Sequence, residues 1–256
     1  MASEVATHMN EVHMLPPHKS VIKENKEKAG ILLISDWHYG IIVDSCWNKF
    51  NPDIAKERIR KLRDKTIEYL RKEKLSTLYV VNLGDLIAGR IHLQLRVNSR
   101  FDVITQVIEV TELLADLLYD LSNYVNIQYY DTLDNHSRLE PNIKDSLDLE
   151  SLCRITYWYL GPRLKDIKNI TLNCNPLADD IISFECLGHK VIGVHGHKDK
   201  PDKVIDNLSV FTKQHYDLVC TAHLHHFSAE EKNETVLVSN SSLMGTDDYA
   251  EKLRLS

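Results

Sequence analysis

The amino-acid sequence predicts an α/β fold in which helices cover a largely buried sheet, and three observations indicate it. Short β-branched and aliphatic runs, mostly four to seven residues long, recur along the chain, a length typical of strands. Stretches with apolar residues at helical spacing separate most of these runs, as in α/β proteins generally. The chain has 256 residues, which is long enough to bury a core without disulfides or a structural metal.

Eight strands and four helices are predicted in order along the chain. The strands are expected over residues 31–34, 77–83, 125–130, 170–172, 181–185, 191–194, 218–221 and 236–238. The helices are expected over residues 54–74, 101–121, 145–160 and 203–215. The first helix follows Asn51-Pro52-Asp53, a typical capping sequence. The fifth and sixth strands are separated by a short segment with Gly188 and are expected to form an antiparallel hairpin.

Composition and charge exclude several classes of protein. Apolar residues make up 43% of the chain and charged residues 27%, the balance of an ordinary globular protein. The net charge of −6 argues against coating of nucleic acid through bulk charge. The sequence predicts neither a membrane span nor a signal peptide. Five cysteines without a C-x-x-C pair suit reduced thiols, so a cytoplasmic location is expected.

The N-terminal residues differ from the rest of the chain. Residues 1–29 show neither helical nor strand periodicity and contain Pro16-Pro17, so they are predicted to form an arm. Residues 30–256 show no internal repeat and no composition shift, and they are predicted to form one catalytic domain.

Residues that can bind metal ions follow five of the predicted strands. They are Asp36 and His38, Asp85, Asn135 and His136, His195 and His197, and His223 and His225. A single Asp or His at a strand end is usually a turn residue or a satisfied polar group. Ligands of open α/β sheets, however, bind outside the carboxyl ends of the strands, so five such groups in one chain predict one shared site.

The chemistry of these residues favours two metal ions. Imidazole and carboxylate together suit manganese, iron, zinc, cobalt or nickel better than calcium or magnesium alone. Two ions about 3.5–4 Å apart can stabilise the attacking and leaving oxygens of a phosphoryl transfer. A shared carboxylate would offset their mutual repulsion, and Asp85 is the natural bridge.

The order D-x-H, G-D, N-H, H and H-x-H, from Asp36 to His225, resembles the calcineurin-like metallophosphoesterase superfamily. The resemblance implies a two-sheet α/β sandwich flanked by helices, with a dimetal site at the carboxyl ends of the strands. It implies hydrolysis of a phosphoester by a metal-activated hydroxide. Asp134, Ser137 and Ala222 depart from the residues usual in the family, which are glycine, an acidic residue and glycine.

The resemblance also implies a role for each matching residue. The implied ligands are Asp36, His38 and His225 at the first metal, Asp85 between the metals, and Asn135, His195 and His223 at the second. His136 matches the non-ligand histidine that stabilises the transition state or protonates the leaving oxygen.

Two further stretches, GDLIAGRIHLQLR and SNSSLMGTDDYAEKLRL, resemble phage and prophage phosphoesterases described as DNA-repair-exonuclease-like. That resemblance implies relatives among double-strand-break repair nucleases, which cleave DNA with manganese and are commonly dimers. It therefore implies manganese as the metal, with iron, zinc, nickel, cobalt and magnesium as alternatives, and a homodimer in the host-cell cytoplasm if the chain is phage-encoded. Candidate substrate contacts are Arg90, His92, Arg96, Arg100 and His197.

Three classes of function remain open at this point. The leading one is a metal-dependent phosphodiesterase acting on DNA as an exonuclease or endonuclease. Nine Lys and Arg residues against four acids in residues 54–74 could follow a phosphate backbone, or could be a solvated face with pairs such as Glu57–Lys61. The second class is a phosphatase or phosphodiesterase for small nucleotides or phosphoproteins, which net acidity favours. The third is a non-catalytic binding protein.

Overall fold

The structure, a computed structural model, describes residues 15–17, 22 and 27–246. Eleven strands and five helices lie in this part of the chain. The strands are β1 (Gly30–Ile34), β2 (Val43–Asp44), β3 (Lys49–Phe50), β4 (Thr77–Asn82), β5 (Asn126–Asp131), β6 (Ile170–Leu172), β7 (Ile182–Cys186), β8 (His189–Gly193), β9 (Leu218–Thr221), β10 (Ser228–Lys232) and β11 (Thr235–Ser239). The helices are α1 (Pro52–Glu73), α2 (Leu93–Val97), α3 (Val103–Ser122), α4 (Cys153–Leu164) and α5 (Val204–Thr212).

The strands form two main sheets and a small ribbon. The first sheet has the order β1-β4-β5-β6 and is parallel throughout. The second has the order β10-β11-β9-β8-β7, with a parallel centre of β11, β9 and β8 between antiparallel outer strands. Strands β2 and β3 pair as a separate ribbon.

The two sheets pack face to face between helices. Along β4, Leu78 and Val80 face a core shared with α1, α3 and α4, whereas Val81 faces the second sheet, because successive side chains of a strand point to opposite faces. A third core lies between the second sheet and α5, where Val219 packs with Leu208. The layers are therefore helices, sheet, sheet and helix. The predicted α/β two-sheet sandwich flanked by helices is confirmed.

The long helices begin where their capping residues predict. The side chain of Asn51 accepts hydrogen bonds from the backbone N–H groups of Asp53 and Ile54, at 2.9 and 3.0 Å, at the start of α1. Asp102 does the same for Ile104 and Thr105 at the start of α3. These bonds satisfy N–H groups that have no partner within the helix.

Three predicted elements differ from the structure. The helix expected over 145–160 begins only at Cys153, because the backbone of residues 139–152 is held by the Asn135–His136 turn: Leu152 N–H donates to Ser137 O at 2.8 Å. The segment between the strand expected over 77–83 and the helix expected over 101–121 contains a short helix that was not predicted, α2. Helix α5 ends at Thr212, where Lys213 takes the left-handed conformation (φ 56°).

The predicted hairpin is confirmed. Strands β7 and β8 pair antiparallel, with Cys186 opposite His189. The two turn residues, Leu187 and Gly188, have φ values of 53° and 86°, which two-residue hairpins favour because their twist matches that of the strands.

Two further predictions concern the N-terminal arm and membrane-spanning segments. The predicted arm, residues 1–29, lies almost entirely outside the described residues. Among the helices that the structure describes, none combines the length and apolar character needed to cross a membrane.

Candidate metal centre

The polar groups at the strand ends converge, as expected. Strands β1, β4 and β5 of the first sheet and β8 and β9 of the second end at the same edge of the sandwich. Three groups of side chains there could each hold a metal ion: Asp36, His38 and His225; His38, Asp85 and His136; and Asp85, His195 and His223.

The first group joins the two sheets. Oδ1 of Asp36 lies 3.3 Å from Nε2 of His225 and 3.8 Å from Nε2 of His38. The two imidazole nitrogens are themselves 3.0 Å apart. Asp36 and His38 are buried, so these donors face one another away from bulk solvent.

Asp85 lies between the first group and the second. Its Oδ2 is 4.0 Å from Nε2 of His38 and 3.1 Å from Nε2 of His195. Nε2 of His195 is also 2.8 Å from Oδ1 of Asn135, and His223 completes this second group. One buried carboxylate thus belongs to the group with His195 and His223 and also lies beside His38 of the first group.

The backbone at the site is held in an unusual conformation. Five site residues have left-handed φ values: Asp36 (51°), His38 (43°), Asp85 (55°), His223 (69°) and His225 (65°). Non-glycine residues in this region each cost roughly 1–3 kcal/mol and cluster at functional sites. Hydrogen bonds from Asp36 N to Gly84 O and from His38 N to Asp85 O, both 3.0 Å, hold the β1 and β4 ends together.

The donors fit divalent cations. Oδ1 of Asp36 and Oδ2 of Asp85 are buried and make no hydrogen bond, although imidazole nitrogens surround both. A buried carboxylate oxygen without a hydrogen bond is costly, and a cation among the same groups would reduce that cost. Carboxylate oxygen, amide oxygen and imidazole nitrogen are all ligands of first-row transition metals.

Backbone carbonyl groups orient two of the imidazole rings at the site. Nδ1 of His195 lies 2.7 Å from the carbonyl oxygen of Leu83, and Nδ1 of His136 lies 2.7 Å from that of Ala88. Such a carbonyl contact fixes the ring and turns Nε2 toward the site. His136 therefore faces Asp85 Oδ2, at 3.8 Å from its Nε2.

The charges at the site are strongly coupled. Burial would lower the pKa of His195, but the Asp85 carboxylate overrides it and raises that pKa to about 10. Burial and the neighbouring His136 lower the pKa of His38 to about 4. The Asp85 carboxylate thus favours positive charge at this position, which a divalent cation would supply.

Asp134, which departs from the family pattern, closes the turn that carries Asn135 and His136. Its Oδ1 accepts from the N–H of Ser137 at 2.7 Å, and its Oδ2 accepts from the Ser137 hydroxyl at 3.0 Å. Gly84 makes room for it, because a Cβ at position 84 would lie 2.5 Å from Cβ of Asp134.

The predicted substrate contacts differ in their surroundings. Arg90 and Arg96 are exposed, whereas the guanidinium of Arg100 pairs with Asp53 at 2.7 Å. His92 is exposed overall, and the partial desolvation of its ring, together with the neighbouring His136 and Arg138, lowers its pKa. The imidazole of His197 lies 5.3 Å from that of His195 between ring centroids, and its Nδ1 is buried without a hydrogen bond.

Arg138 is a site residue that sequence reasoning missed. Its guanidinium donates to the carbonyl oxygens of Asn135, Glu140 and Pro141 at 3.0, 3.1 and 3.0 Å. It thus fixes the backbone beside His136. No motif marks such a residue, because its partners are backbone carbonyls.

Half of the Lys and Arg residues of the basic helix α1 pair with acids, namely Lys56, Lys61, Arg63 and Lys65. Lys61 pairs with Glu57 at 2.6 Å, the i, i+4 pair that the sequence offers. Its neighbours also have partners: Lys56 pairs with Glu109 at 3.0 Å and Arg63 with Asp120 at 2.8 Å, both on α3. The interpretation of this helix as an ion-paired face is the one that the structure favours.

A half-buried carboxylate at the end of β5, Asp131, gives a pH-dependent prediction. Oδ2 of Asp131 accepts from the Tyr129 hydroxyl at 2.9 Å, and burial raises the pKa of Asp131 to about 7. The native state therefore holds this proton more tightly than the unfolded chain, whose Asp pKa is about 3.9. The resulting stability is complete below about pH 4 and is lost as the pH rises through about 7.

Asp131→Asn should remove that dependence. We expect its stability relative to wild type to increase by about 2–3 kcal/mol between pH 5 and pH 8, measured by urea unfolding at both pH values. Asp166→Asn, which changes an exposed carboxylate, controls for the loss of charge. An unchanged difference between Asp131→Asn and wild type would contradict the raised pKa.

Comparison with known proteins gives one relative in sequence. No family model matches the chain. It is 30% identical over 261 residues to YonJ, an uncharacterized protein derived from the SPbeta prophage of Bacillus subtilis (strain 168). The match covers 96% of this chain, which spans 63% of the length of that relative. The chain is thus similar to a prophage-derived protein, in line with the prophage resemblance.

Solved structures give weaker likenesses. An archaeal phosphodiesterase matches with a TM-score of 0.39 and 19% identity, over 84% of this chain and 83% of its own. Zinc-bound Vps29 from Entamoeba histolytica matches with 0.38 and 11%, over 85% and 77%. A predicted phosphoesterase from Streptococcus pneumoniae TIGR4 matches with 0.32 and 12%, over 83% and 71%. The assignment of an activity to this chain therefore depends on the residues of its own site.

Proposed function

We propose that the chain is a dinuclear metal-dependent phosphodiesterase and that DNA is its substrate. The single observation that carries the proposal is the position of Asp85: one buried carboxylate borders two groups of ligands drawn from five strand ends. In this proposal Asp36, His38 and His225 hold the first ion and Asp85 bridges. Asn135, His195 and His223 hold the second.

The chemistry of such a pair suits phosphoester hydrolysis. Two divalent ions supply Lewis acidity toward a phosphoryl oxygen and a water nucleophile at neutral pH. Manganese is the proposed metal, and iron, zinc, nickel, cobalt and magnesium are the alternatives that this ligand set admits.

His136 is proposed as the residue that protonates the leaving oxygen or stabilises the transition state. Its Nδ1 contact with Ala88 O orients the ring, and its side chain is 15% exposed. Nε2 thus reaches the edge of the site where a substrate would enter. A protonated Nε2 there could donate its proton to the departing oxygen or stabilise the charge that develops on the phosphoryl group.

Support for DNA comes from the segment after Asp85. Arg90 and Arg96 are exposed in and beside α2, and guanidinium groups bind phosphates well. The pairing of Lys56, Lys61 and Arg63 on α1 with acids, and of Arg100 with Asp53, reduces the positive charge available to a long phosphate backbone. That observation favours the alternative, a phosphatase or phosphodiesterase for small nucleotides or phosphoproteins.

The remaining assignments are part of the same proposal. Residues 30–256 would form one catalytic domain, and a homodimer would be its assembly. All five cysteines are free thiols in the structure, which suits the proposed cytoplasmic location.

Digestion of end-labelled duplex and single-stranded DNA with Mn²⁺ tests the substrate. We expect the wild type to cleave DNA and Asp85→Asn to be inactive. A double variant, Arg90→Gln with Arg96→Gln, should cleave DNA less and depend less on salt, but should hydrolyse bis(p-nitrophenyl) phosphate normally. Arg60→Gln, on the exposed side of α1, is the matched control.

Two outcomes would change the assignment. Hydrolysis of the aryl diester with intact DNA would move the substrate to small nucleotides or phosphoproteins. Binding of metal without hydrolysis of either substrate would instead indicate the non-catalytic class.

A further inference from the structure

Residues 240–246, which we call the strap, cross the carboxyl ends of β1 and β9. Ser242 N–H donates to the carbonyl oxygen of His225 at 3.1 Å, and the Ser242 hydroxyl donates to that of Asp36 at 2.9 Å. At the start of the strap, Asn240 N–H donates to Thr221 O at 2.7 Å, and its side-chain amide donates to the Ser35 hydroxyl at 2.8 Å. The strap thus bonds to the backbone of two proposed ligands that belong to different sheets.

Arg58 of α1 anchors the strap from outside. Its Nη1 donates to the carbonyl oxygens of Leu243 and Met244, at 2.7 and 2.6 Å. Its Nη2 donates to Oδ1 of Asn48 at 3.1 Å. The Asn48 amide in turn donates to Met244 O at 2.9 Å and to Thr246 O at 2.8 Å. Arg58 thus binds the strap directly through Nη1 and indirectly, through Asn48, by Nη2, which also donates to the carbonyl oxygen of Lys49 at 3.3 Å.

The packing of the strap agrees with this anchoring. Met244 is buried in the core. Gly245 has a φ of 82°, and a Cβ there would lie 3.2 Å from Nδ2 of Asn48. A side chain at position 245 would be strained in this backbone conformation and would crowd Asn48, so glycine suits the close approach.

The strap helps to hold the first ligand group in place, and that group needs support because its backbone is conformationally strained. Asp36 and His225 both have left-handed φ values, 51° and 65°, which persist only where the surroundings over-determine them. The Ser242 bonds fix both carbonyls, and thereby the pair whose Oδ1 and Nε2 atoms are 3.3 Å apart.

From these contacts we infer that Arg58, Asn48 and Ser242 are positioning residues for the first metal position, acting through the strap. The inference rests on the proposed function, because that function supplies the ion. Partners of this outer kind typically change metal affinity by about 10–100-fold when they are removed. The loss should fall on the ion held by Asp36, His38 and His225, because Ser242 bonds to the backbone of Asp36 and His225 in that group.

Mn²⁺ titration followed by calorimetry tests the inference, with thermal melts to confirm folding. For Arg58→Ala and Ser242→Ala we expect one of two Mn²⁺ equivalents to bind about 10–100-fold more weakly and the other to bind as in wild type. Ser242→Thr keeps the hydroxyl and should restore the affinity. Arg60→Ala, whose Nε donates to the carbonyl oxygen of Lys56 one turn earlier in the same helix, should match wild type.

The outcomes separate this inference from the proposed function. Wild-type affinity in both Arg58→Ala and Ser242→Ala, or equal weakening of both equivalents, would overturn the inference. If thermal melts show that Arg58→Ala does not fold, the Mn²⁺ affinity of Ser242→Ala, which loses only one hydroxyl, tests the inference. Two Mn²⁺ equivalents with no phosphodiester hydrolysis would overturn the proposed function and leave the inference standing. A wild type that binds no Mn²⁺ would overturn both.

Discussion

Asp85→Asn is expected to abolish phosphodiester hydrolysis and to remove one of the two bound metal ions. Two unit charges 4 Å apart repel by about 4 kcal/mol at an effective dielectric constant near 20, and two divalent ions by about four times as much. The buried Asp85 carboxylate offsets that repulsion, and a neutral amide does not. We expect a fall in kcat of roughly 10³-fold or more.

The substitution should leave the surrounding backbone in place. Oδ1 of Asp85 accepts from the N–H of His136 at 3.0 Å, a bond that the Asn side-chain oxygen can also accept. Metal content by plasma mass spectrometry and kcat on an aryl phosphodiester are the measurements. Asp131→Asn, which changes a nearby carboxylate that bonds to Tyr129, should keep both ions. Full activity with two ions in Asp85→Asn would rule out the bridging role.

His136→Ala should lower turnover and keep both metal ions. Loss of a general acid typically costs about 10²–10⁴-fold in rate. The loss should depend on the leaving group, because a nitrophenolate departs without a proton whereas an alkoxide needs one. We therefore expect a small effect on bis(p-nitrophenyl) phosphate and a large one on an alkyl phosphodiester.

The metal content of His136→Ala shows whether His136 is itself a metal ligand. His136 belongs to a group with His38 and Asp85 that could itself hold an ion. Loss of a metal equivalent in His136→Ala would make it a ligand and would contradict the role proposed here. His226→Ala changes an exposed imidazole that contacts Leu224 O and is the matched control.

The position of the site follows from the sequence because it depends on strand ends. In β4, alternation of Leu78, Val80 and Val81 between two cores makes the strand recognisable, and Asp85 must then lie just beyond its end. The same logic brings Asp36 and Asn135 to that edge, since β1 and β5 are the parallel neighbours of β4 in the first sheet. His195 and His223 likewise follow β8 and β9, which are parallel neighbours in the second sheet.

The features that were missed depend on contacts between distant parts of the chain. Arg58 reads as one member of a basic helix, yet its partners are carbonyls 185 and 186 residues away. Ser242 reads as an ordinary loop serine. The late start of α4 at Cys153 likewise depends on the bond from Leu152 to the Asn135–His136 turn. Local periodicity contains no information about such bonds.

The most direct test of the two-ion site is an anomalous difference map from a crystal of the wild-type protein grown with Mn²⁺. For a two-ion site we expect two peaks on either side of the Asp85 carboxylate, one beside Asp36 and His225 and the other beside Asn135 and His195. A single peak, or none among these residues, would contradict it.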